Sequence, residues 1–425
     1  MKKIFSLALC LMLIFGASYD SLRFPPLLSE AKAADSLYQI SGNSPLKENP
    51  AAMFQGFGAE EDTIYYFNAL NEYQRQIYRR MRRAVLNYEP YTTVDMSITG
   101  QDLQLFSTLL FYYDPAVYNF KDIGASIQPG ATAIYFDYTY TAEEYRRRRD
   151  AVEKAVQDII AKIPAGSSEY DKIRFVHDEI INNCVYDFDA PDSANPYGAL
   201  VLGKAKCDGY TKAFSLVLGR LGIKTAIVVG DYLPDQTAHV WSKVEYQGKW
   251  YNVDVTYNAP ISIMKNNLRH SYFMVSDECI KDTHTELKLT LPAPAANDAS
   301  MSYYKLSGAY SESYEQTKKV LQSALLNASK EKSHSVAVQF TSKKEYNNAL
   351  TRLFDDKEIN GILAEVNQKA PNKFVPNISL KSVSESRNVI KIFVFYPDTP
   401  LSDYYKDPEK VNEVTKRTLA RHGIT

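Results

Sequence analysis

Two alternating segments that meet at Gln247-Gly248 constrain this chain more than any other feature. His239 to Tyr246 and Lys249 to Tyr257 both alternate in the strand period, and the Gln-Gly pair between them predicts a two-residue hairpin turn. With the turn centred there, Glu245 faces Trp250, Trp241 faces Asp254 and His239 faces Thr256. Val240, Val244, Tyr246, Tyr251, Val253 and Val255 then share the core face, while His239, Trp241, Asp254 and Thr256 share the other. His239 and Asp254 become diagonal neighbours with Cα atoms about 7 Å apart, within reach for an imidazole and a carboxylate. A slip of one residue would invert one strand, and the alternation on both strands argues against it.

A cysteine lies upstream of this hairpin. Gly203-Lys204-Ala205-Lys206-Cys207-Asp208-Gly209-Tyr210 runs into helical spacing from Thr211 to Leu221, closed by Gly222-Ile223. Phe214, Leu218 and Leu221 line one side of that helix, with Val217 beside them. Cys207 therefore falls at or just before a helix start, where unpaired N–H groups and the helix dipole favour a thiolate. A buried small apolar residue is the plain alternative for a single such cysteine.

The N-terminus bears on that choice. Met1-Lys2-Lys3, an apolar run from Ile4 to Ala17 and the Ala31-Lys32-Ala33-Ala34 site read as a secretory signal peptide cut after Ala33. The run is shorter than the ~18 apolar residues of a membrane-spanning helix, so no span is expected after signal removal, a retained anchor being the alternative. Cys10 follows Leu9 inside the run, which argues against a lipoprotein anchor. Cys184, Cys207 and Cys279 remain, and an odd number outside the cell leaves at least one thiol unpaired. Cys184 and Cys279 are expected as two buried free thiols, with a disulfide between them as the alternative.

A thiol, an imidazole and a carboxyl in this arrangement have the residue types of nucleophile, base and orienter in covalent acyl transfer. Tyr197 to Tyr257 resembles the transglutaminase-like cysteine enzyme superfamily, in its bacterial secreted branch. The matching pieces are Cys207-Asp208-Gly209-Tyr210 opening a helix that ends in Leu221-Gly222-Ile223, then His239-Val240-Trp241, then Gly248-Lys249-Trp250-Tyr251-Asn252-Val253-Asp254-Val255-Thr256. The likeness covers about 100 residues, including the helix before Cys184. It implies a papain-like α+β core in which a helix bearing the cysteine packs on an antiparallel sheet bearing His and Asp. Cys207 would be the nucleophile, His239 the base and then the acid, and Asp254 the orienter. Two departures stand out. The family commonly has Ala and Asn where this chain has Val240 and Ser242, and Trp where it has Tyr257.

In that scheme the thiolate attacks a carboxamide or peptide carbonyl, His239 protonates the leaving amine, and a thioester forms. The Cys207 N–H supplies an oxyanion donor. Tyr197 either adds a second through its hydroxyl or only packs, and Trp241, on the face of His239, is a candidate for substrate positioning. Water then gives hydrolysis and an amine gives crosslinking. Hydrolysis is the favoured expectation, crosslinking and a catalytically silent surface-binding module being the alternatives. The substrate is expected to be a protein or peptide at the cell wall or surface, and the chain to be secreted or at the cell surface.

Composition excludes other classes. Of 425 residues, 45% are hydrophobic and 23% charged, the balance of a globular chain, and the net charge of -1 offers no positive field for nucleic acid. There is no zinc-type cysteine pair and no phosphate or dinucleotide loop, so neither metal nor cofactor is expected. The predicted organisation is a signal peptide at 1–33, a flexible lead at 34–62, a mostly helical region at 63–163, the transglutaminase-like catalytic domain at 164–290, a linker at 291–302 and a small α+β domain at 303–425. Helices are expected from Tyr65 to Tyr88, from Gln101 to Tyr112, after a capping box at Thr141–Glu144 and from Ser168 to Cys184, with one strand from Ala133 to Tyr140. The arginine runs read as solvated helix faces, Asp187 to Asp192 as a solvated loop and His177 as structural.

Overall fold

Asn71 and Gln74 close a capping box, Gln74 N donating to Asn71 Oδ1 at 2.9 Å and Asn71 N to Gln74 Oε1 at 3.1 Å, and helix α1 (Glu72–Leu86) begins there. The computed structural model describes residues 61–95, 97–259, 269–287, 289, 291–376, 379–384 and 387–405. The signal segment with Cys10, and all of the lead but its last two residues, lie outside the described residues. The chain divides into two compact units, Met1–Trp250 with His284–Ala295, and Tyr251–Thr283 with Ala296–Thr425.

In the first unit α1 buries Ile77, Tyr78, Met81 and Val85 at helical spacing. β1 (Tyr91–Val94) follows, then α2 (Gly100–Thr108), whose last turn widens into a π turn at Leu109–Tyr113. β2 (Phe120–Gln128) and β3 (Ala131–Tyr138) complete an antiparallel sheet of order β1-β3-β2. Sequence alternation showed only β3, because on β2 and β1 few positions are apolar enough to mark a period. α3 (Ala142–Ala161) is capped by Thr141 Oγ1, which accepts from Glu144 N at 3.2 Å. The glutamate turns to Arg148 Nη2, 2.8 Å away, so the predicted reciprocal box is replaced by an ion pair.

α4 (Glu169–Asn183) starts at the Ser168 cap and buries His177, whose Nδ1 lies 2.8 Å from Asp178 Oδ1. β4 (Val185–Tyr186) pairs in parallel with β5 (Lys204–Ala205), and β5 leads directly into α5 (Cys207–Arg220). Every residue of α5 from Cys207 to Gly219 is buried, so this helix is the centre of the unit. It is followed by β6 (Thr225–Tyr232) and β7 (Thr237–Tyr246), paired antiparallel. The turn after β7 has left-handed φ at Gln247 (50°) and Gly248 (74°), the type I′ pattern the hairpin requires. The chain continues as β8 (Lys249–Val253), passes through a helical turn α6 (Val255–Asn258) and β9 (Phe273–Val275), and returns to the first unit as β10 (His284–Glu286), antiparallel to β6.

In the second unit β8 pairs with β9 through Asn252 and Val253. Beyond Ala296, β11 (Tyr310–Ser311), β12 (Ser335–Phe340), β13 (Ser379–Ser384) and β14 (Val389–Val394) form a sheet of order β11-β12-β14-β13. Helices α7 (Tyr314–Glu331), α8 (Lys343–Leu350) and α9 (Glu358–Lys369) share its core, with Leu321, Leu325, Val338, Ile362 and Ile392 in one buried cluster. No helix among the described residues is long and apolar enough to cross a membrane.

The solvated-face reading of the arginine runs holds for Arg79, Arg80, Arg83, Arg146 and Arg147, which are exposed. It fails at Arg82, buried against Asp114, and at Arg148, mostly enclosed beside Asp192. Helical spacing turns Arg82 and Arg148 inward, where each meets a buried carboxylate, and Arg149 beside Arg148 is also mostly enclosed.

Candidate functional site

Cys207 is the first residue of α5 and is buried. Its N-cap, Lys206, has extended backbone and no side-chain cap, so the first-turn N–H groups are not consumed by a capping oxygen. Lys206 N instead donates to Ser193 O at 2.9 Å, which pins the helix start to the loop before it. Gly209 makes that docking feasible, because a Cβ there would sit 2.4 Å from Ser193 O and 2.8 Å from the Ala205 Cβ. Gly209→Ala must push the helix start away, and is expected to cost about 1–3 kcal/mol of stability by overpacking. Because it also displaces the thiol, the alkylation rate of Cys207 by iodoacetamide is expected to change in the same variant; thermal unfolding and alkylation kinetics read the two effects.

In the acidic loop before Ser193, Phe188, Asp189 and Pro191 are exposed as composition suggests, but Asp192 is not. Asp192, at left-handed φ, turns its buried carboxylate inward to Arg148 Nη1 and Tyr140 Oη, and Asn195 Nδ2 donates to it at 3.1 Å. Burial works against its charge, but hydrogen bonds from Tyr140, Arg148 and Asn195 outweigh burial and hold the carboxyl below its ordinary range. The Arg148 guanidinium lies over the rings of both Tyr140 (4.3 Å) and Tyr197 (4.7 Å). The Tyr197 ring is thus a packing surface for Arg148, and its N–H donates to Asn195 Oδ1 at 3.0 Å.

α5 is fastened to the strand that carries His239. Thr211 Oγ1 donates to Val240 O at 3.0 Å, and the Ser215 and Ser242 hydroxyls are 3.1 Å apart. His239 is buried on β7 opposite Gly230. Its ring stacks with Trp241 (centroids 6.1 Å, 13° between planes) and approaches the rings of Tyr232 (6.2 Å) and His284 (5.6 Å). His284 meets Trp241 edge-on at 4.9 Å. The glycine opposite His239 is required, since a Cβ on Gly230 would lie 2.8 Å from Trp241 Cζ3 and 2.0 Å from Thr285 O. The first unit therefore brings Cys207, His239 and Trp241 onto one helix–strand pair and adds Tyr232 and His284, which sequence reasoning missed. Tyr232 ends β6, hairpin-paired with the strand of His239, while His284 sits on a three-residue strand with nothing in it that ties position 284 to position 239.

Asp254 differs from expectation. β8 stops at Val253, and Asp254 becomes the N-cap of α6, its Oδ1 accepting from Tyr257 N at 2.9 Å. The strand alternation continues to Tyr257, but a capping carboxylate offers the following N–H groups a helical turn, which takes Thr256 out of the ladder. The facing of Thr256 with His239 is thereby corrected. Asp254 lies in the second unit and is buried, its N–H donating to Tyr272 O at 3.0 Å. Cys184, Cys207 and Cys279 are all free thiols.

The sequence model of the transglutaminase-like superfamily matches residues 154–255, a stretch that holds α4, α5, β6 and β7. This segment is a transglutaminase-like domain. Its α+β fold, with the cysteine-bearing helix on antiparallel strands, is the papain-like arrangement that the resemblance implies. The matched stretch includes Cys207, His239 and Asp254 and begins within α3. A crystal structure of a TGase is similar to this chain at 18% identity, covering 34% of this chain and 46% of that one, with a TM-score of 0.25. The periplasmic domain of TgpA from Pseudomonas aeruginosa, bound to ethylmercury, is similar at 17% identity, covering 31% of this chain and 58% of that one, with a TM-score of 0.21. The chain thus spans about half the length of these two structures. No curated protein matches it.

Proposed function

We propose that the protein is an exported cysteine enzyme that cleaves amide or peptide bonds of protein or peptide substrates at the cell wall or surface. Cys207 acts as nucleophile, His239 as base and then acid, and Asp254 as orienter of the imidazole. The thiol proton passes to His239, and the sulfur attacks the carbonyl carbon to give a tetrahedral oxyanion, which the Cys207 N–H at the start of α5 stabilises. Collapse breaks the C–N bond, His239 returns the proton to the departing amine, and a thioester remains. Water, deprotonated by His239, then releases the acid and restores the thiol. Trp241, stacked on His239, walls the imidazole and orients the acyl group, and Tyr197 serves the site indirectly by seating Arg148.

The observation that carries this reading is the fastening of α5 to β7 by the Thr211–Val240 and Ser215–Ser242 hydrogen bonds, which sets the thiol-bearing helix start against the strand of His239. The test is to incubate the protein with casein and a fluorescent primary amine, following both new amino termini or released ammonia and amine incorporation. Hydrolysis predicts release without incorporation. Incorporation would assign crosslinking, and inertness in both assays with a Cys207 unreactive to iodoacetamide would assign a silent binding module.

A further inference from the structure

Asp208, the residue after the thiol, plays no part in the steps above, yet it is among the most enclosed acids of the first unit. Its side chain is 6% exposed and that of Lys206 is 5% exposed, with Oδ2 3.8 Å from Lys206 Nζ. The same oxygen lies 3.9 Å from Cys207 Sγ, which donates a long S–H···O hydrogen bond to it. Further along α5, the buried Lys212 donates from Nζ to the carbonyls of Phe111 (2.9 Å) and Val117 (3.4 Å). Asp208 thus faces Lys206, Cys207 and Lys212 from its own segment, His239 from β7 and Tyr112 from the π turn after α2, while Lys212 also faces Asp114. Burial pushes the Asp208 carboxyl up, and Lys206, Lys212 and His239 pull it back; burial pulls the Lys212 ammonium down, and Asp208 and Asp114 oppose it. An apolar helix gains nothing in packing from a carboxylate here, and leaving one uncompensated would be costly.

We propose that Asp208 is a positioning residue for the nucleophile: it accepts the Cys207 S–H, orients the sulfur, and sets the pH at which the thiol ionises. The inference rests on the reading of Cys207 as nucleophile. A negative charge this close opposes the formation of a second one on the sulfur. Lys206 and Lys212 act against burial and favour the anionic form of Asp208. On ionisation the thiol proton goes to His239, and Asp208 gives up nothing.

The test is the pH dependence of Cys207 alkylation by iodoacetamide, followed on the Cys207 peptide by mass spectrometry in the full-length protein. Asp208→Asn keeps the shape and removes the charge. It is expected to lower the midpoint by about one pH unit, so that alkylation on the acid limb is roughly tenfold faster. Asp208→Glu restores the charge and is expected to return the midpoint toward wild type even if it unfolds at lower temperature. A folded Asn variant with an unmoved midpoint overturns the proposal and makes Asp208 merely structural. If that variant does not fold, Lys206→Met is expected to raise the midpoint, and an unmoved midpoint there overturns the proposal as well. The measurement needs no turnover: a midpoint that moves in a protein that cleaves no amide defeats the proposed reaction and leaves this inference standing.

Discussion

Replacing Cys207 with alanine is expected to lower amide turnover by about 10⁴-fold or more while leaving thermal unfolding nearly unchanged. In the proposed reaction nucleophile and base act as a unit, so His239→Ala is expected to cost about as much, and the double variant little more than either alone. Asp254→Asn is expected to be about tenfold to a hundredfold milder than Cys207→Ala, because an orienter supports the base without bonding to substrate. The informative controls are the other two thiols. Burial pushes the Cys184 thiol up to about 11, with the Tyr210 hydroxyl only partly offsetting it, so it stays protonated at neutral pH. Cys279 is the physical rival. Burial opposes its ionisation, but hydrogen bonding from Ser276 (Oγ to Sγ, 3.3 Å) and the charge of Arg387 outweigh burial and pull the thiol below its ordinary value. A depressed thiol is still not a catalyst without a base. Cys279→Ala is therefore expected to leave turnover unchanged. Steady-state kinetics with active-site labelling decides the matter: turnover that survives Cys207→Ala, or labelling that moves to Cys279, would remove the assignment of the nucleophile.

What local signals could carry, they carried. The start of α5 is legible because Gly-flanked Cys207 precedes a run with helical spacing, and the β7–β8 turn because Gln247-Gly248 separates two alternating runs. The same alternation misled beyond Asp254, at Thr256, where a capping side chain ended the strand before its pattern ended. Long-range pairing was invisible. Asp192 reads as a solvated acid in sequence because its partner, Arg148, is 44 positions upstream in a run of four arginines that only helical phase can tell apart. His284 reaches His239 from β10, and no spacing rule links strands so far apart in the chain, whereas Tyr232 lies only across the β6–β7 hairpin. Residues 61–153 posed a similar problem. They lie before the matched transglutaminase-like stretch, yet Tyr66 Oη donates to Ile227 O at 2.9 Å on β6, and Phe111 and Val117 receive the ammonium of Lys212. The N-terminal region is thus a structural part of the unit that holds the thiol, although its sequence reads as a separate helical segment.

That dependence makes Arg82 the residue whose loss is expected to cost most in stability. Its Nε donates to Asp114 Oδ2 at 2.7 Å, with side chains 8% and 0% exposed. Tyr78 Oη donates to the same oxygen at 2.7 Å, and Ala116 N donates to Oδ1 at 3.0 Å. Burial disfavours the guanidinium charge, but Asp114 and Tyr78 more than offset it and keep the cation strongly held. Arg82→Leu leaves the carboxylate buried without its counter-charge, and is expected to destabilise the first unit by about 3–5 kcal/mol. In thermal unfolding this is a fall in Tm on the order of 10 °C. Adding Asp114→Leu removes the stranded charge and is expected to recover part of the loss, because a buried pair replaced whole costs less than one broken in half. If the single variant instead unfolds within a degree or two of wild type, the pair contributes little. Because Asp114 also faces Lys212 on the helix of Cys207, Arg82→Leu is further expected to slow Cys207 alkylation at temperatures where the protein remains folded. A loss of stability with an unchanged alkylation rate would separate the N-terminal support from the chemistry of the thiol.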